Sequence, residues 1–358
     1  MTGRRPRVAV VGASGLIGQH FARLLADHPW FDEPVLVGTE RTAGQRLEDI
    51  WRLPVPVPTA LADRRLRTAT PRALAESEVD LAFGGLPSGT AGPLETELTR
   101  RGVAVFSNAA DHRRDTGVPL LVPEVNPDHL AELRRRPRGR AILVTNPNCT
   151  ATGLALGLAP VWDLLRPREV HVATYQALSG AGVPGLGALG VADNVVPFIA
   201  EEEQKIATET GRILGRRTSR GIVPARTRFL ANSARVPVTD GHLEAVTVVA
   251  GRSTRADHLE SAWRSFDPLA KLGLPTAPHP PVLRRAEPDR PQPALDRWAG
   301  SPPRSLGMAV TVGRVRWDPP YLRCFLLSHN AVRGGAGGSV LNAELALARG
   351  ALGDLEPP

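Results

Sequence analysis

Thiols and lysines are both scarce in this chain of 358 residues. Cys149 and Cys324 are its two cysteines. That number excludes a disulfide framework, and zinc-type spacing is missing, so no metal site is expected. No run approaches the roughly 20 apolar residues that span a bilayer. The apolar run near the N-terminus leads straight into a glycine loop, with no small-residue cleavage site. It therefore reads as a strand and not as a signal peptide, and the protein is expected in the cytoplasm, with no membrane partner. The two lysines, Lys205 and Lys271, stand against 42 arginines, so a lysine that persists is a candidate for a need that arginine cannot meet. The net charge of +8 is spread thinly, with short clusters such as 134–140. No aromatic residues interleave with those arginines, so the surface reads as solvated and basic, without nucleic-acid binding.

Apolar residues make up 42% and charged residues 22%, the composition of a globular chain long enough for two domains. Over the first 150 residues, strand-like runs at 7–12, 34–38, 79–85 and 103–109 alternate with helical patterns at 14–28 and 91–102. That alternation predicts an α/β fold with a doubly wound parallel sheet. Beyond Asn148 the pattern changes. A helix over 151–164 precedes strands at 168–178, 234–238, 242–251, 308–317 and 322–329, with an acidic helix near 198–211. These predict an α+β domain with a mainly antiparallel sheet. The Pro- and Arg-rich stretch 275–304 reads as an extended arm, and 337–352 as a terminal helix.

Two local patterns carry chemistry. Gly12, Gly15 and Gly18 follow the first strand and open the first helix, the setting in which a pyrophosphate sits on a helix N-terminus. At the end of the second strand, Glu40 suits a ribose 2′-hydroxyl, as in NAD. Arg41, between Thr39 and Thr42, suits a 2′-phosphate, which favours NADP over NAD. The second pattern is TNPNCTATG: Asn148 is a good helix N-cap and puts Cys149 in the first turn, where free amides and the dipole favour a thiolate. Arg235 offers a planar fork for a carboxylate, and His242 an acid/base.

These segments together resemble the aspartate-semialdehyde dehydrogenase family, in its archaeal and fungal branch. The resemblance runs through GASGLIG, ERTAG, LPSG, FSNAADHR, TNPNCTATG, YQALSGAG, DNVVPFIAEEEQK, RVPVTDGH, DRPQPALDR and HNAVRGGAGGSVLNAE. It implies a Rossmann-type NADP domain over 1–148, completed by a C-terminal helix over 337–358, and a catalytic and oligomerisation domain over 149–336. It makes Cys149 the acyl-accepting nucleophile, His242 the acid/base and Gln176 an orienting group. Arg235 holds the substrate carboxylate with Glu202 nearby, while Lys205, Arg113 and Asn108 surround the phosphate. The cofactor is placed against Gly12, Ser14, Gly15, Leu16, Ile17, Thr39, Arg41, Thr42, Ser88, Ser179, Gly180, Asn330 and Gly337.

The implied reaction is NADPH-dependent reduction of L-aspartyl-4-phosphate to L-aspartate 4-semialdehyde, releasing phosphate, with lysine, threonine and methionine biosynthesis downstream. The family assembles as homodimers or homotetramers. Thr150-Ala151, Val183 and Ser233-Ala234 depart from the branch's usual residues. They leave open a specialised acid substrate, or malonyl-CoA, which the same branch also reduces. A non-catalytic, NADP-sensing role is a further alternative, against which the retained Cys149, Gln176, Arg235 and His242 weigh.

Overall fold

The computed structural model describes residues 4–357, apart from 69, 183, 184 and 186 and the side chains of 188 and 189. Val183 thus lies outside the described residues. The N-terminal half builds a parallel sheet from β1 (Val8–Val11), β2 (Val35–Gly38), β3 (Arg67–Thr68), β4 (Leu81–Gly84), β5 (Ala104–Ser107) and β6 (Leu143–Thr145). Their spatial order is β3-β2-β1-β4-β5-β6. The direction of winding reverses between β1 and β4, and such a switch point opens a crevice at the carboxyl ends of the strands.

Both faces of this sheet are covered, which is why its strands are apolar almost throughout. Val8, Val10, Leu81, Phe83 and Phe106 feed one apolar layer, while Ala9, Val11, Ala82 and Val105 feed the other. The first layer is closed by the helix Leu16–Leu25 and by the C-terminal helix Gly337–Ala348, through Phe21, Val340, Leu341 and Leu345. The second is closed through Leu74 and Leu98, on the helices Pro71–Glu76 and Ala91–Arg100.

The second half contributes β7 (Glu169–Gln176), a separate hairpin of β8 (Arg216–Thr218) and β9 (Gly221–Val223), then β10 (Arg228–Arg235), β11 (His242–Val249), β12 (Val282–Arg284), β13 (Val310–Asp318) and β14 (Tyr321–Ser328). The large sheet has the order β10-β7-β11-β14-β13-β12. It is mixed: β7–β11, β11–β14 and β13–β14 are antiparallel, whereas β10–β7 and β12–β13 pair in parallel at the edges. The strand expected over 234–238 instead ends at Arg235, because Pro237 has no N–H to continue a ladder. The expected arm over 275–304 contains β12 and the short helix Pro293–Asp296.

One face of the mixed sheet packs on the helix Cys149–Leu165 through Leu154, Leu158, Val172, Val246 and Leu326. The other face is open and carries Tyr175 and Tyr321, which are 40% and 48% exposed.

Candidate active site

The site lies where three strand ends meet one helix start. Gln176 ends β7 and Arg235 ends β10, and the two are register partners. β11 runs antiparallel to β7 and begins at His242, so its first residue reaches the same edge. Cys149 opens the long helix there, and the Asn148 Oδ1 cap accepts from the amides of Thr150 and Ala151, both at 3.0 Å. Residues distant in sequence converge because parallel and antiparallel neighbours bring opposite strand ends to one rim.

Glu202 ties these elements together. It sits at the start of the helix Glu202–Ile213, and its Oε1 accepts from Gln176 Nε2 at 2.7 Å and from Thr150 Oγ1 at 3.0 Å. Its Oε2 accepts from Asn148 Nδ2 at 2.9 Å. Two turns along, Glu209 accepts from the Asn148 amide at 2.6 Å and from Arg113 Nη1 at 2.9 Å. Arg113 Nη2 donates to the Asn108 carbonyl at 2.8 Å, so the two residues expected around phosphate do lie side by side. Lys205 shares a helical stripe with Glu202 and Glu209, but its Nζ is paired with Glu201 Oε2 at 2.9 Å. It therefore stands at the edge of the network.

One residue, Ala177, orders both groups expected to touch substrate. Its carbonyl accepts from Arg235 Nη1 at 2.7 Å, and its N–H donates to His242 Nδ1 at 3.1 Å. An acceptor at Nδ1 puts the ring proton of the neutral imidazole on Nε2, which is buried and has no partner among the described residues. Burial, then Arg235, then His329 push the His242 pKa down to about 3, so the ring is neutral. A Cβ built on Gly180 would lie 2.8 Å from Arg235 Nη1 and 3.3 Å from His242 Nε2, so Gly180 lets the chain pass close to both.

The expectation that the helix start makes Cys149 a ready thiolate is corrected. Burial, with Glu202 adding to it, pushes the thiol up to about 12, against Arg113, the Thr150 amide and Arg235. Desolvation and the carboxylate hub outweigh the nearby arginines and the helix-start amide, so the side chain rests as a thiol.

The crevice at the switch point fits a dinucleotide. Gly12 has φ +87°, and a Cβ on Gly18 would stand 2.1 Å from the Gly12 carbonyl oxygen, so the loop closes only with glycine at both places. The helix Leu16–Leu25 that follows has no side-chain cap and no acidic residue in its first turn. Its first amides therefore remain open to a phosphate. At the end of β2, Thr42 Oγ1 accepts from the Thr39 amide at 3.1 Å, and Glu40 and Arg41 are exposed. Arg41 makes no ion pair among the described residues, whereas Gly337 packs toward Met308 Sδ and Gly335 is the glycine that meets Ile17. Asn330 Nδ2 donates to Ser179 Oγ at 2.8 Å, and Ser88 Oγ accepts from the Ala110 amide at 2.9 Å.

Several participants go beyond the sequence reading, which named Asn148 only as the helix cap. Asn148, Thr150 and Glu209 hold the nucleophile turn, and Gly334 lies directly behind it. A Cβ on Gly334 would be 2.5 Å from Cys149 Cβ. Arg333 next to it makes a buried bidentate pair with Glu124 at 2.7 and 2.8 Å. Glu209 had one usable signal, its position seven residues after Glu202 on the same helical stripe. Gly334 had none.

A crevice shaped for a dinucleotide beside a thiol, an imidazole and an arginine fork marks out an oxidoreductase of the nicotinamide-linked kind. Residues 7–133 match the model for the semialdehyde dehydrogenase NAD-binding domain, and residues 158–333 match the semialdehyde dehydrogenase dimerisation domain. The chain belongs to the semialdehyde dehydrogenase family. It is 43% identical to an aspartate-semialdehyde dehydrogenase of Archaeoglobus fulgidus, across 95% of this chain and 98% of that protein. It is 36% identical to a malonyl-CoA reductase (NADP) of Metallosphaera sedula, across 97% and 98%. The crystal structure of aspartate-semialdehyde dehydrogenase with NADP from Candida albicans superposes with a TM-score of 0.83 at 33% identity, across 97% of this chain and 99% of that one. No helix among the described residues is long and apolar enough to cross a membrane.

Proposed function

We propose that this chain is an NADP-dependent aspartate-semialdehyde dehydrogenase, reducing L-aspartyl-4-phosphate to L-aspartate 4-semialdehyde with release of phosphate. The observation that carries this reading is the convergence of Cys149, Gln176, Arg235 and His242 at the crevice mouth, with Arg113 and Asn108 alongside. The relatives of that name, similar over almost their whole length, support it.

Each residue then has a task. Arg235, fixed through one nitrogen to Ala177, presents its remaining donors to the substrate carboxylate. The negative Glu202 hub attracts the substrate ammonium. Arg113, with Asn108 and Lys205 at the rim, draws the phosphate and stabilises its departure. The Cys149 sulfur attacks the acyl carbon while its proton passes to the departing phosphate, so a thioester divides one displacement into two easier steps. His242 Nε2–H donates to the carbonyl oxygen as negative charge gathers there, and relays a proton from solvent to the sulfur as it is released. Gln176, held by Glu202 and Thr150, keeps the reacting groups aligned. NADP would be held by its pyrophosphate along Gly12, Ser14, Gly15, Leu16 and Ile17 and by its adenosine 2′-phosphate at Thr39, Arg41 and Thr42, and its nicotinamide would supply the hydride. Ser88, Ser179, Gly180 and Asn330 line the rest of the crevice. The open face of the mixed sheet, with Tyr175 and Tyr321, is the surface for association into a homodimer.

The test is an NADP-linked absorbance assay with aspartate semialdehyde, with and without phosphate, beside malonyl-CoA with NADPH. Phosphate-dependent turnover that disappears in Cys149→Ala, while NADP binding persists, is expected. Turnover with malonyl-CoA alone would replace the substrate assignment by that of the Metallosphaera relative. A Cys149→Ala variant that still turns over would end the covalent mechanism.

A further inference from the structure

A second carboxyl group lies beneath the nucleophile turn. Glu244 is on β11, two residues after His242 and on the same buried face. It is 0% exposed, and neither carboxyl oxygen has a hydrogen-bond partner among the described residues. Within the sheet it stands opposite Thr174 of β7 on one side and Leu326 of β14 on the other. The nucleophile helix presses Gly153 onto it: a Cβ there would lie 3.0 Å from Glu244 Oε1 and 2.6 Å from Ser328 Oγ. Ser328 Oγ is likewise buried and without a partner.

The same pocket edge leads to the Glu202 hub. Gln176 Nε2, which donates to Glu202, also reaches Thr174 Oγ1 at 3.3 Å, directly across from Glu244. The two acids are therefore neighbours with opposite provision. Glu202 takes three donors, and Glu244 takes none. A carboxylate kept dry without donors or a cation is costly by several kcal/mol, so the site supports one anion and one neutral acid. The polar and titratable groups around Glu244 are Glu202 from its helix, Thr174 across on β7, and Cys324 and Ser328 from β14, with His242 and Gln176 further along the same buried face and Cys149 one helical turn before Gly153. None of them is a fixed cation. Burial, with Glu202 adding to it, holds the Glu244 carboxyl well above the usual carboxylate range.

We propose that Glu244 is a positioning residue that works as an uncharged carboxylic acid beneath Cys149, leaving Glu202 as the single anion of the hub, and that loss of its proton closes the reaction at alkaline pH. A second negative charge there would hold the thiol protonated and oppose an anionic acyl phosphate. The part concerning substrate rests on the function proposed above. The part concerning the thiol does not.

The experiment compares the whole enzyme with Glu244→Gln and Glu244→Asp in two readouts across pH. The first is kcat/KM with aspartate semialdehyde. The second is the rate of Cys149 alkylation by iodoacetamide, which needs no substrate and so stands even if the acyl group is misassigned. In the wild type, kcat/KM should fall by about tenfold per pH unit beyond the Glu244 ionisation. Glu244→Gln, permanently neutral, should lose that alkaline limb and alkylate at lower pH than the wild type. Glu244→Asp should keep the limb. A purely packing role would change rates in both variants without moving either pH profile, and that result overturns the proposal. So does a Glu244→Gln variant that turns over poorly with an unshifted profile, since the anion would then be the working form. If the variants do not fold, carbon-13 NMR of glutamate-labelled wild type decides. A protonated glutamate persisting at neutral pH beyond any signal lost in Glu95→Gln supports the proposal, since Glu95 is also buried without partners among the described residues, and the absence of one refutes it.

Discussion

Gly334→Ala tests whether the nucleophile is held by the loop behind it. The added Cβ would stand 2.5 Å from Cys149 Cβ, 2.7 Å from Cys149 Cα and 3.1 Å from its carbonyl oxygen. Two of those atoms are backbone at a helix start whose cap is bonded to Glu202 and Glu209, so neither side can yield by rotating a side chain. Restoring ordinary contact, about 3.5–4 Å between carbons, needs roughly 1 Å of relative movement. Overpacking of this kind costs about 1–3 kcal/mol in stability. A misplacement of about 1 Å at reacting atoms costs on the order of a hundredfold in rate. The assay is kcat at saturating substrate and cofactor, with a thermal melt to show that the variant is folded. Gly211→Ala is the control: its Cβ would meet Phe229 at 3.6 Å, an ordinary contact within a helix. That change should stabilise by about 0.5–1 kcal/mol and leave kcat alone. A Gly334→Ala enzyme with a kcat within about twofold of wild type would refute the argument that rigid contact behind Cys149 positions the sulfur.

Two further outcomes follow from the site. Glu202 holds the Cys149 thiol up, so Glu202→Gln should lower its pKa and speed alkylation several-fold at a fixed pH below about 12; slower alkylation would mean that the hub's hydrogen bonds outweigh its charge. Arg333→Met should cost about 3–5 kcal/mol, because it leaves the Glu124 carboxylate buried and unpaired, and Arg333→Met with Glu124→Leu should recover most of it. Denaturant unfolding measures both, and a single variant within about 1 kcal/mol of wild type would show that Glu124 finds another partner.

The sequence by itself determined the first sheet and its crevice. Strands apolar on both faces, such as Val8–Val11 and Leu81–Gly84, and a glycine loop between β1 and its helix are local signals. Their physics acts within a few residues of the chain. It also determined Cys149 as the nucleophile candidate, because Asn148 caps its own helix two and three residues ahead. Tertiary structure decided what no spacing could express. Gln176, Arg235 and His242 share an edge because β10 pairs in parallel with β7 while β11 pairs antiparallel to it, and register across a mixed sheet is a long-range property. Ala177, apolar and unremarkable in sequence, sets the tautomer of His242 and the aim of Arg235 through backbone atoms that every residue possesses. The charge state of the thiol was decided the same way. Local dipole and cap favour the thiolate, but burial and Glu202, which arrive from elsewhere in the chain, reverse that preference. Desolvation depends on everything packed around an atom, and only the folded structure supplies that list.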